Sequence, residues 1–111
     1  MIHYMKLQPS PFIAIKNGNK DIEMRLNDEK RQVIQINDII EFTNTDTGEI
    51  IKTRVVNKHH FNSFNDLYNT FDKIRLGYKE NENANPYDME KYYPVDEILQ
   101  SGVVGIEIQL I

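Results

Sequence analysis

The chain has 111 residues, of which 40% are hydrophobic and 27% are charged, a composition typical of a folded globular protein. It contains no cysteine, which excludes disulfides, thiolate metal sites and thiol nucleophiles. The net charge of −4 argues against a protein that coats nucleic acid non-specifically, because such binding depends on Lys and Arg side chains that neutralise phosphates.

The N-terminal part of the sequence predicts two strands separated by a helix. Residues 3–7 form a first short strand in this prediction. Ser10 is suited to cap a helix that has Pro11 at its first position and ends at residues 17–18, an Asn-Gly pair. Residues 21–26 follow as a second strand, because apolar and polar side chains alternate there.

The middle of the sequence predicts a hairpin. Residues 27–31 are polar and are expected to form a loop, and a turn at residues 37–38 leads into a strand over residues 39–43. The polar residues 44–49 include a glycine and form the hairpin loop, and residues 50–58 are the returning strand.

The C-terminal part predicts short helices and a last strand. Ser63 is suited to cap a helix. The apolar face of that helix, at i, i+3, i+4 and i+7 spacing, consists of Phe64, Leu67, Tyr68 and Phe71. Residues 79–86 are polar and predict a mobile loop. Pro86 and Pro94 each start a further short helical segment, and residues 103–110 complete the sheet.

This order of elements predicts an α+β fold in one domain over residues 1–111. Short strands interleaved with short helices favour a small mixed β-barrel with two or three short helices. A doubly wound sheet would need regular βαβ units, which the sequence lacks.

The N-terminal segment has no basic region followed by a long apolar run, and no apolar stretch approaches the length that spans a bilayer. We therefore expect a cytoplasmic protein without a membrane partner.

The most informative residues follow the first predicted helix, in a Gly-x-Lys-x-x-Glu-x-Arg pattern. The fixed positions are Gly18, Lys20, Glu23 and Arg25. This pattern resembles the signature of the ASCH domain, a small β-barrel family related to the PUA domains that bind RNA. The resemblance extends over residues 11–15, 36–42 and 102–108. It implies a PUA-like barrel, an RNA or nucleotide ligand, and a cleft between barrel and helices that the motif lines.

Lys20, Glu23 and Arg25 are therefore the first candidates for a ligand-binding site. Arg25 offers a planar fork to a carboxylate, a phosphate or a base edge, and Lys20 supplies a point charge. The alternation of the strand keeps these side chains away from the core. The alternative is a solvent-exposed Glu-Arg ion pair, which contributes less than about 1 kcal/mol to stability and has no function. The resemblance favours the functional interpretation.

Four further residues are candidate ligand contacts. Asn27 and Arg31 offer amide and guanidinium hydrogen bonds to an exposed base, whereas Asp28 between them is explained by a turn. Tyr92 and Tyr93 offer aromatic faces on which a base stacks, a contact that contributes about 1–3 kcal/mol. The alternative is that these tyrosines are half-buried parts of the core.

The sequence gives no reason to expect a metal or a cofactor. The adjacent residues His59 and His60 point to opposite faces of a strand, and no third ligand lies at a recognisable spacing. No serine lies in a nucleophile context, and Ser10 and Ser63 are explained as helix caps.

The resemblance also implies an alternative enzyme function. Some small bacterial ASCH proteins hydrolyse N4-acetylcytidine with the motif lysine, a threonine three residues later and a glutamate from the later helical region. Lys20 matches that lysine, but Glu23 stands where the threonine would be. Glu80 or Glu82 would correspond to the distant glutamate. If the protein is an amidohydrolase, Glu23 would act as a general base for water and Lys20 would stabilise the oxyanion.

The charge distribution gives a third hypothesis. Residues 16–31 carry five basic and four acidic side chains, whereas residues 79–100 carry two basic and six acidic ones. A phosphate is therefore expected to meet the motif region, and the acidic segment 79–100 is a candidate surface for a protein partner. The leading hypothesis remains a domain that binds RNA or a modified nucleotide.

Overall fold

The computed structural model describes residues 1–111 and contains five strands. They are β1 (Ile2–Leu7), β2 (Ile22–Leu26), β3 (Ile39–Asn44), β4 (Ile50–Phe61) and β5 (Val103–Leu110). The α-helices are α1 (Pro9–Lys16), α2 (Glu29–Gln32), α3 (Phe64–Thr70) and α4 (Val95–Ser101), and Pro86–Lys91 forms a 3₁₀ helix. None of the helices is long and apolar enough to cross a membrane.

The five strands form one mixed sheet in the order β1-β3-β4-β5-β2. β1 pairs with β3 in parallel, and the other three pairings are antiparallel. The sheet curls into a half-barrel whose two edges are β1 and β2. The predicted α+β class and the barrel-like architecture are thus confirmed.

Both faces of the sheet carry a hydrophobic core, and β5 contributes to both. Val104, Ile106 and Ile108 point into the half-barrel, where they pack with α1, β1, β3 and β4. Val103 points to the other face, where β2 packs against α3 and α4. Because successive side chains of a strand alternate between faces, one strand serves both cores. Side chains of β2 are therefore enclosed on both of its faces as well.

The predicted start of the first helix was wrong by two residues. α1 begins at Pro9 and its N-cap is Gln8, which makes no side-chain capping bond, so Ser10 lies inside the first turn instead of capping it. Proline is favoured at the first helical position, and the sequence offers two prolines there. The predicted end is confirmed, since Asn17 is the C-cap.

Helix α2 was not predicted. The segment expected as a polar loop contains a four-residue helix whose N-cap, Asp28, accepts a hydrogen bond from the backbone N–H of Arg31. Its C-terminal end is held by Lys58 of β4, whose Nζ donates to the carbonyl oxygens of Arg31 at 3.1 Å and Ile34 at 2.8 Å. Burial lowers the pKa of Lys58, yet these carbonyls compensate its ammonium group.

The hairpin, the third helix and the last strand agree with the sequence prediction. β3 and β4 are antiparallel neighbours, and Ser63 accepts a hydrogen bond from the Asp66 N–H at the start of α3. β4 runs three residues beyond its predicted end, to Phe61. Its register against β5 shifts between Val55 and Asn57, which marks a β-bulge.

Candidate functional site

The three charged motif residues lie at one edge of the half-barrel. In the antiparallel register of β2 and β5, Glu23 is opposite Ile106 and Arg25 is opposite Val104. Both side chains therefore point to the inner face of the half-barrel, the face of Ile106 and Val104. Only 4% of Glu23 and 4% of Lys20 is exposed. The expectation that these two residues stay away from the core was wrong, because β2 is enclosed on both faces.

Lys20, Glu23 and Arg25 form a buried ion cluster. Lys20 Nζ lies 3.3 Å from Glu23 Oε1, and Arg25 Nε donates to Glu23 Oε2 at 2.6 Å. One carboxylate thus pairs with two cations through its two oxygens. Lys20 Nζ also donates to the carbonyl oxygen of Leu76 at 3.0 Å, which ties the cluster to the segment after α3. The cluster carries a net positive charge.

The ion cluster controls the protonation of its members. Burial alone would raise the pKa of Glu23, but the charges of Lys20 and Arg25 outweigh burial and hold that pKa below its usual value. Burial would lower the pKa of Arg25, whereas Glu23 and the nearby Tyr93 hydroxyl raise it. Glu23 is therefore a carboxylate and Arg25 a guanidinium cation at neutral pH.

Arg25 connects the two edges of the sheet. Its Nη2 donates to the carbonyl oxygen of Lys6 at 3.1 Å, and Lys6 belongs to β1 at the far end of the strand order. Nε and Nη2 thus have protein acceptors, and the Tyr93 hydroxyl also lies near the guanidinium group. The Arg25 side chain is 14% exposed. We call this place, where Arg25 lies between β1 and β2, the seam.

A groove lies between α1 and the segment that follows α3. It has a volume of about 680 Å³. We call it the Gly77 groove, and it is lined among others by Ala14, Asn19, Gly77, Tyr78, Lys79 and Glu80. Gly77 has a φ of +105°, and a Cβ at this position would come within 3.0 Å of Lys20 Cδ. Glycine is therefore required here, because the backbone lies directly against the Lys20 side chain.

The two glutamates considered for an enzyme differ in position. Glu80 lines the Gly77 groove. Glu82 uses its carboxylate to accept a hydrogen bond from the Lys79 N–H at 2.8 Å. Of the two, only Glu80 lies at the groove that adjoins Lys20.

The candidates Asn27 and Arg31 follow β2 but make different contacts. Arg31 Nη1 donates to Asp28 Oδ2 at 3.0 Å, within α2 and its cap. Asn27 Oδ1 and Arg31 Nε are both buried without a hydrogen-bond partner in the protein. Neither residue belongs to the ion cluster, so the structure does not place all predicted contacts in one site.

The two candidate tyrosines also differ in their surroundings. Tyr93 is half-buried and stacks on Phe64, with ring centroids 5.9 Å apart and an interplanar angle of 17°. Its hydroxyl group lies near Arg25, whose pKa it raises. Tyr92 is 65% exposed and leaves an aromatic face open to solvent. Tyr93 is therefore a half-buried part of the core, whereas the ring of Tyr92 is accessible for stacking.

Sequence reasoning missed several groups that hold the motif in place. The acceptors for Lys20 and Arg25 include the carbonyl oxygens of Leu76 and Lys6, which are backbone atoms and leave no mark in the sequence. Gly77 was visible as a glycine, but its contact with Lys20 depends on how the segment after α3 folds back.

Comparison with known proteins identifies a family. The family model of the ASCH domain matches residues 5–99. No curated protein matches the chain. The hypothetical protein PH0355, known from a crystal structure, is similar over 100% of both chains, with 30% identity and a TM-score of 0.84.

Two other solved structures share the fold. Protein PF0455 from Pyrococcus furiosus, solved by NMR in solution, has 29% identity and a TM-score of 0.78, covering 100% of this chain and 98% of its own. The crystal structure of ASCH from Zymomonas mobilis has 14% identity and a TM-score of 0.69, over 97% of this chain and 66% of that one. At 14% identity the last likeness concerns the fold alone.

Proposed function

We propose a function from one premise: the chain belongs to the ASCH domain family. The relation of that family to PUA domains that bind RNA makes RNA or a modified nucleotide the ligand class of first choice. We infer that the ligand binds at the seam and uses the cationic groups of the motif strand.

The observation that carries this proposal is the state of the Arg25 side chain. Two of its nitrogens are fixed by Glu23 and Lys6, and the side chain is still 14% exposed. Arginine presents its donors in a rigid fork that suits phosphate and base acceptors. A guanidinium group held on two sides loses little conformational freedom when a ligand oxygen binds to its exposed part.

Lys20 and Glu23 have supporting roles in this proposal. Lys20 is buried beneath Gly77 and adds positive charge next to the Gly77 groove. Glu23 accepts from Arg25 Nε and fixes the plane of the guanidinium group. The exposed ring of Tyr92 offers a stacking face for a base. Asn27 and Arg31 lie outside the ion cluster and are not needed for phosphate binding.

The geometry disfavours the alternative of an amidohydrolase. A general base works best when its pKa lies near the working pH, but the pKa of Glu23 is below its usual value because two cations surround the carboxylate. Both carboxylate oxygens also have cationic partners within 3.3 Å. Binding without hydrolysis is therefore the function we propose.

An RNA titration of two arginine variants tests the role of Arg25. We expect Arg25→Gln to weaken the binding of a single-stranded RNA about tenfold, because the variant loses a charge-assisted contact. Arg54→Gln is the matched control, since Arg54 is exposed on β4 and donates to the Asn37 carbonyl. Fluorescence anisotropy with a labelled oligonucleotide measures both affinities. Equal affinities of the two variants would contradict the proposal.

A separate activity assay with the wild-type protein tests the enzyme alternative. Incubation with N4-acetylcytidine is followed by the NMR signal of the acetyl methyl group. We expect this signal to stay unchanged while backbone amides near the seam shift. Growth of free acetate would replace the binding proposal by hydrolysis.

A further inference from the structure

A second groove lies at the end of the sheet where β2 and β4 finish and β5 begins. It has a volume of about 790 Å³, enough to enclose a large side chain of a partner. We call it the Gly102 groove, and its lining includes Phe61, Asp66 and Leu99. The ion cluster at the seam contributes none of its side chains to this lining, so the two places are separate.

Gly102 fixes the shape of this groove. Its φ is +70°, and a Cβ there would lie 2.9 Å from the backbone oxygen of Phe61, so the end of α4 lies directly against the end of β4. The Gly102 carbonyl oxygen accepts from the Asn27 N–H at 3.0 Å, at the end of β2. Because its walls are held together before binding, the groove loses little conformational freedom when it is filled.

Helix α4 leaves an apolar stripe exposed. Its buried side chain is Ile98, whereas Val95 is 53% and Leu99 is 78% exposed. Residues four positions apart are neighbours on the surface of a helix, so Val95 and Leu99 form one stripe. Apart from Met1, Leu99 is the most exposed large hydrophobic residue of the chain. Leucine is usually buried, so the stripe is a surface that a partner can cover.

The stripe continues into the Gly102 groove. Leu99 lines the groove together with the half-buried Phe61. Contiguous apolar surface, unlike single exposed apolar side chains, is typical of protein interaction sites. An apolar side chain that enters the groove removes the surfaces of Leu99 and Phe61 from water. The exposed amides of Asn62 and Gln100, which also line the groove, can bind the backbone of a peptide.

The charges around this surface are negative. Asp66 is exposed and lines the groove. Asp96 is exposed as well and lies three residues before Leu99, which places it beside the stripe. No lysine or arginine lines the groove, and residues 79–100 carry six acidic and two basic side chains. The surface therefore repels the phosphates of RNA and attracts a cationic partner.

We propose that the stripe of α4 and the Gly102 groove together dock a basic protein segment in which lysine or arginine flanks a leucine or a phenylalanine. The apolar side chain of the partner enters the groove beside Leu99, and its cations face Asp66 and Asp96. This interface is independent of the proposed function, because it uses no residue of the seam and binds a protein instead of RNA.

Synthetic peptides test the chemistry of the partner. The probe is a fluorescein-labelled peptide of lysines and leucines, with the leucines at the spacing of one helix face. In one control peptide glutamate replaces lysine, and in the other serine replaces leucine. We expect the probe to bind at least about tenfold more tightly than either control, measured by fluorescence anisotropy. Equal binding of either control peptide would overturn the proposal.

NMR and two leucine variants locate the docking surface. The probe is expected to shift the backbone amide signals of Val95, Leu99 and Gly102. Leu99→Ala should weaken its binding about tenfold. Leu110→Ala is the matched control, because Leu110 is 42% exposed at the other end of β5. Shifts confined to other parts of the chain, or equal affinities of the two variants, would contradict the assignment.

Three aspartate variants test the role of charge. Asp66→Asn and Asp96→Asn lie on different helices, and each is expected to weaken the probe about threefold at low salt. The difference from the wild type should shrink at high salt, because salt screens exposed charges. Asp46→Asn is the control, since Asp46 is exposed in the loop before β4. An equal loss in all three variants would show attraction to the net charge alone and would overturn the proposal.

The remaining outcomes separate this interface from the seam and from self-association. We expect Arg25→Gln to bind the probe as well as the wild type does, and Leu99→Ala to keep its affinity for RNA. Failure of RNA binding therefore leaves the peptide result standing, and the reverse is equally true. Sedimentation of the protein alone is the last measurement. A dimer that dissociates in Leu99→Ala would assign the surface to a second copy of the chain and overturn the proposal.

Discussion

Glu23 illustrates how one carboxylate determines the electrostatics of its surroundings. It is the single negative charge between two buried cations, Lys20 and Arg25. Charges inside a protein are tolerated when they are paired, and removal of one partner leaves the other charge uncompensated. In this cluster of three, the central carboxylate contributes most to stability, because it compensates the charge of both cations.

Glu23→Gln is therefore expected to be strongly destabilising although the side chain keeps its shape. We expect a loss of about 3–5 kcal/mol in the free energy of unfolding, the range found when a buried ion pair is broken. Urea denaturation followed by circular dichroism measures it. Glu49→Gln is the control, since Glu49 pairs with Lys16 at the surface and such pairs contribute at most about 1 kcal/mol. Similar losses in both variants would contradict the assigned role.

The motif residues themselves were predictable from the sequence, but their surroundings were not. The alternation of β2 indicates which side chains share a face, so Glu23 and Arg25 were placed together correctly. It does not indicate that the second face is also covered, because that depends on α1 and on the segment after α3. Burial of Lys20 under Gly77 is a long-range contact of this kind.

At the scale of elements, the sequence correctly predicted features that contacts between neighbouring residues stabilise. The hairpin of β3 and β4 and the capped start of α3 depend on neighbouring residues, and both were found in the sequence. α2 was missed because four residues are too few for a periodic pattern, and its N-cap, Asp28, is equally typical of a turn. The start of α1 was displaced because Pro9 and Pro11 give the same signal.

Asp38 joins two elements and makes their contact dependent on pH. It precedes β3, and its Oδ2 contacts His3 Nε2 of β1 at 2.8 Å and accepts from the Gln35 N–H. The contact with His3, followed by that with Gln35, lowers the pKa of Asp38 to about 2 from 3.8. A carboxyl group with a lowered pKa stabilises the fold above its unfolded pKa and loses this contribution as the pH falls towards the folded value.

We therefore expect the wild type to exceed Asp38→Asn in stability at neutral pH. The difference should be constant above about pH 4 and should shrink between pH 3.8 and about 2, where Asp38 becomes protonated in the folded protein. Thermal melts at a series of pH values measure the two curves. A difference that grows as the pH falls would show that the direction of the pKa change is wrong.

At the scale of the whole molecule, the net charge of −4 sets how binding responds to salt. A protein with this charge cannot neutralise many phosphates, and only the seam offers a group of buried cations. Affinity for single-stranded nucleic acid falls with salt by a slope of about −0.7 per neutralised phosphate. The few cations near the seam therefore predict a shallow slope.

We expect a plot of log affinity against log salt concentration to have a slope between about −1 and −2. This corresponds to two or three phosphate contacts. RNA binding measured at several concentrations of potassium chloride gives the slope. A slope steeper than about −4 would require an extended basic surface, which contradicts binding at the seam.

The link from Arg25 to Lys6 also bears on how the protein avoids aggregation. A half-barrel keeps two strand edges, and the unpaired carbonyl groups of an edge invite strands from other molecules. Arg25 of the edge strand β2 donates to a carbonyl oxygen of the other edge strand, β1. Its guanidinium charge lies where a strand from another molecule would have to pair. The arginine thus protects the open side of the sheet from β-strand addition by neighbouring chains.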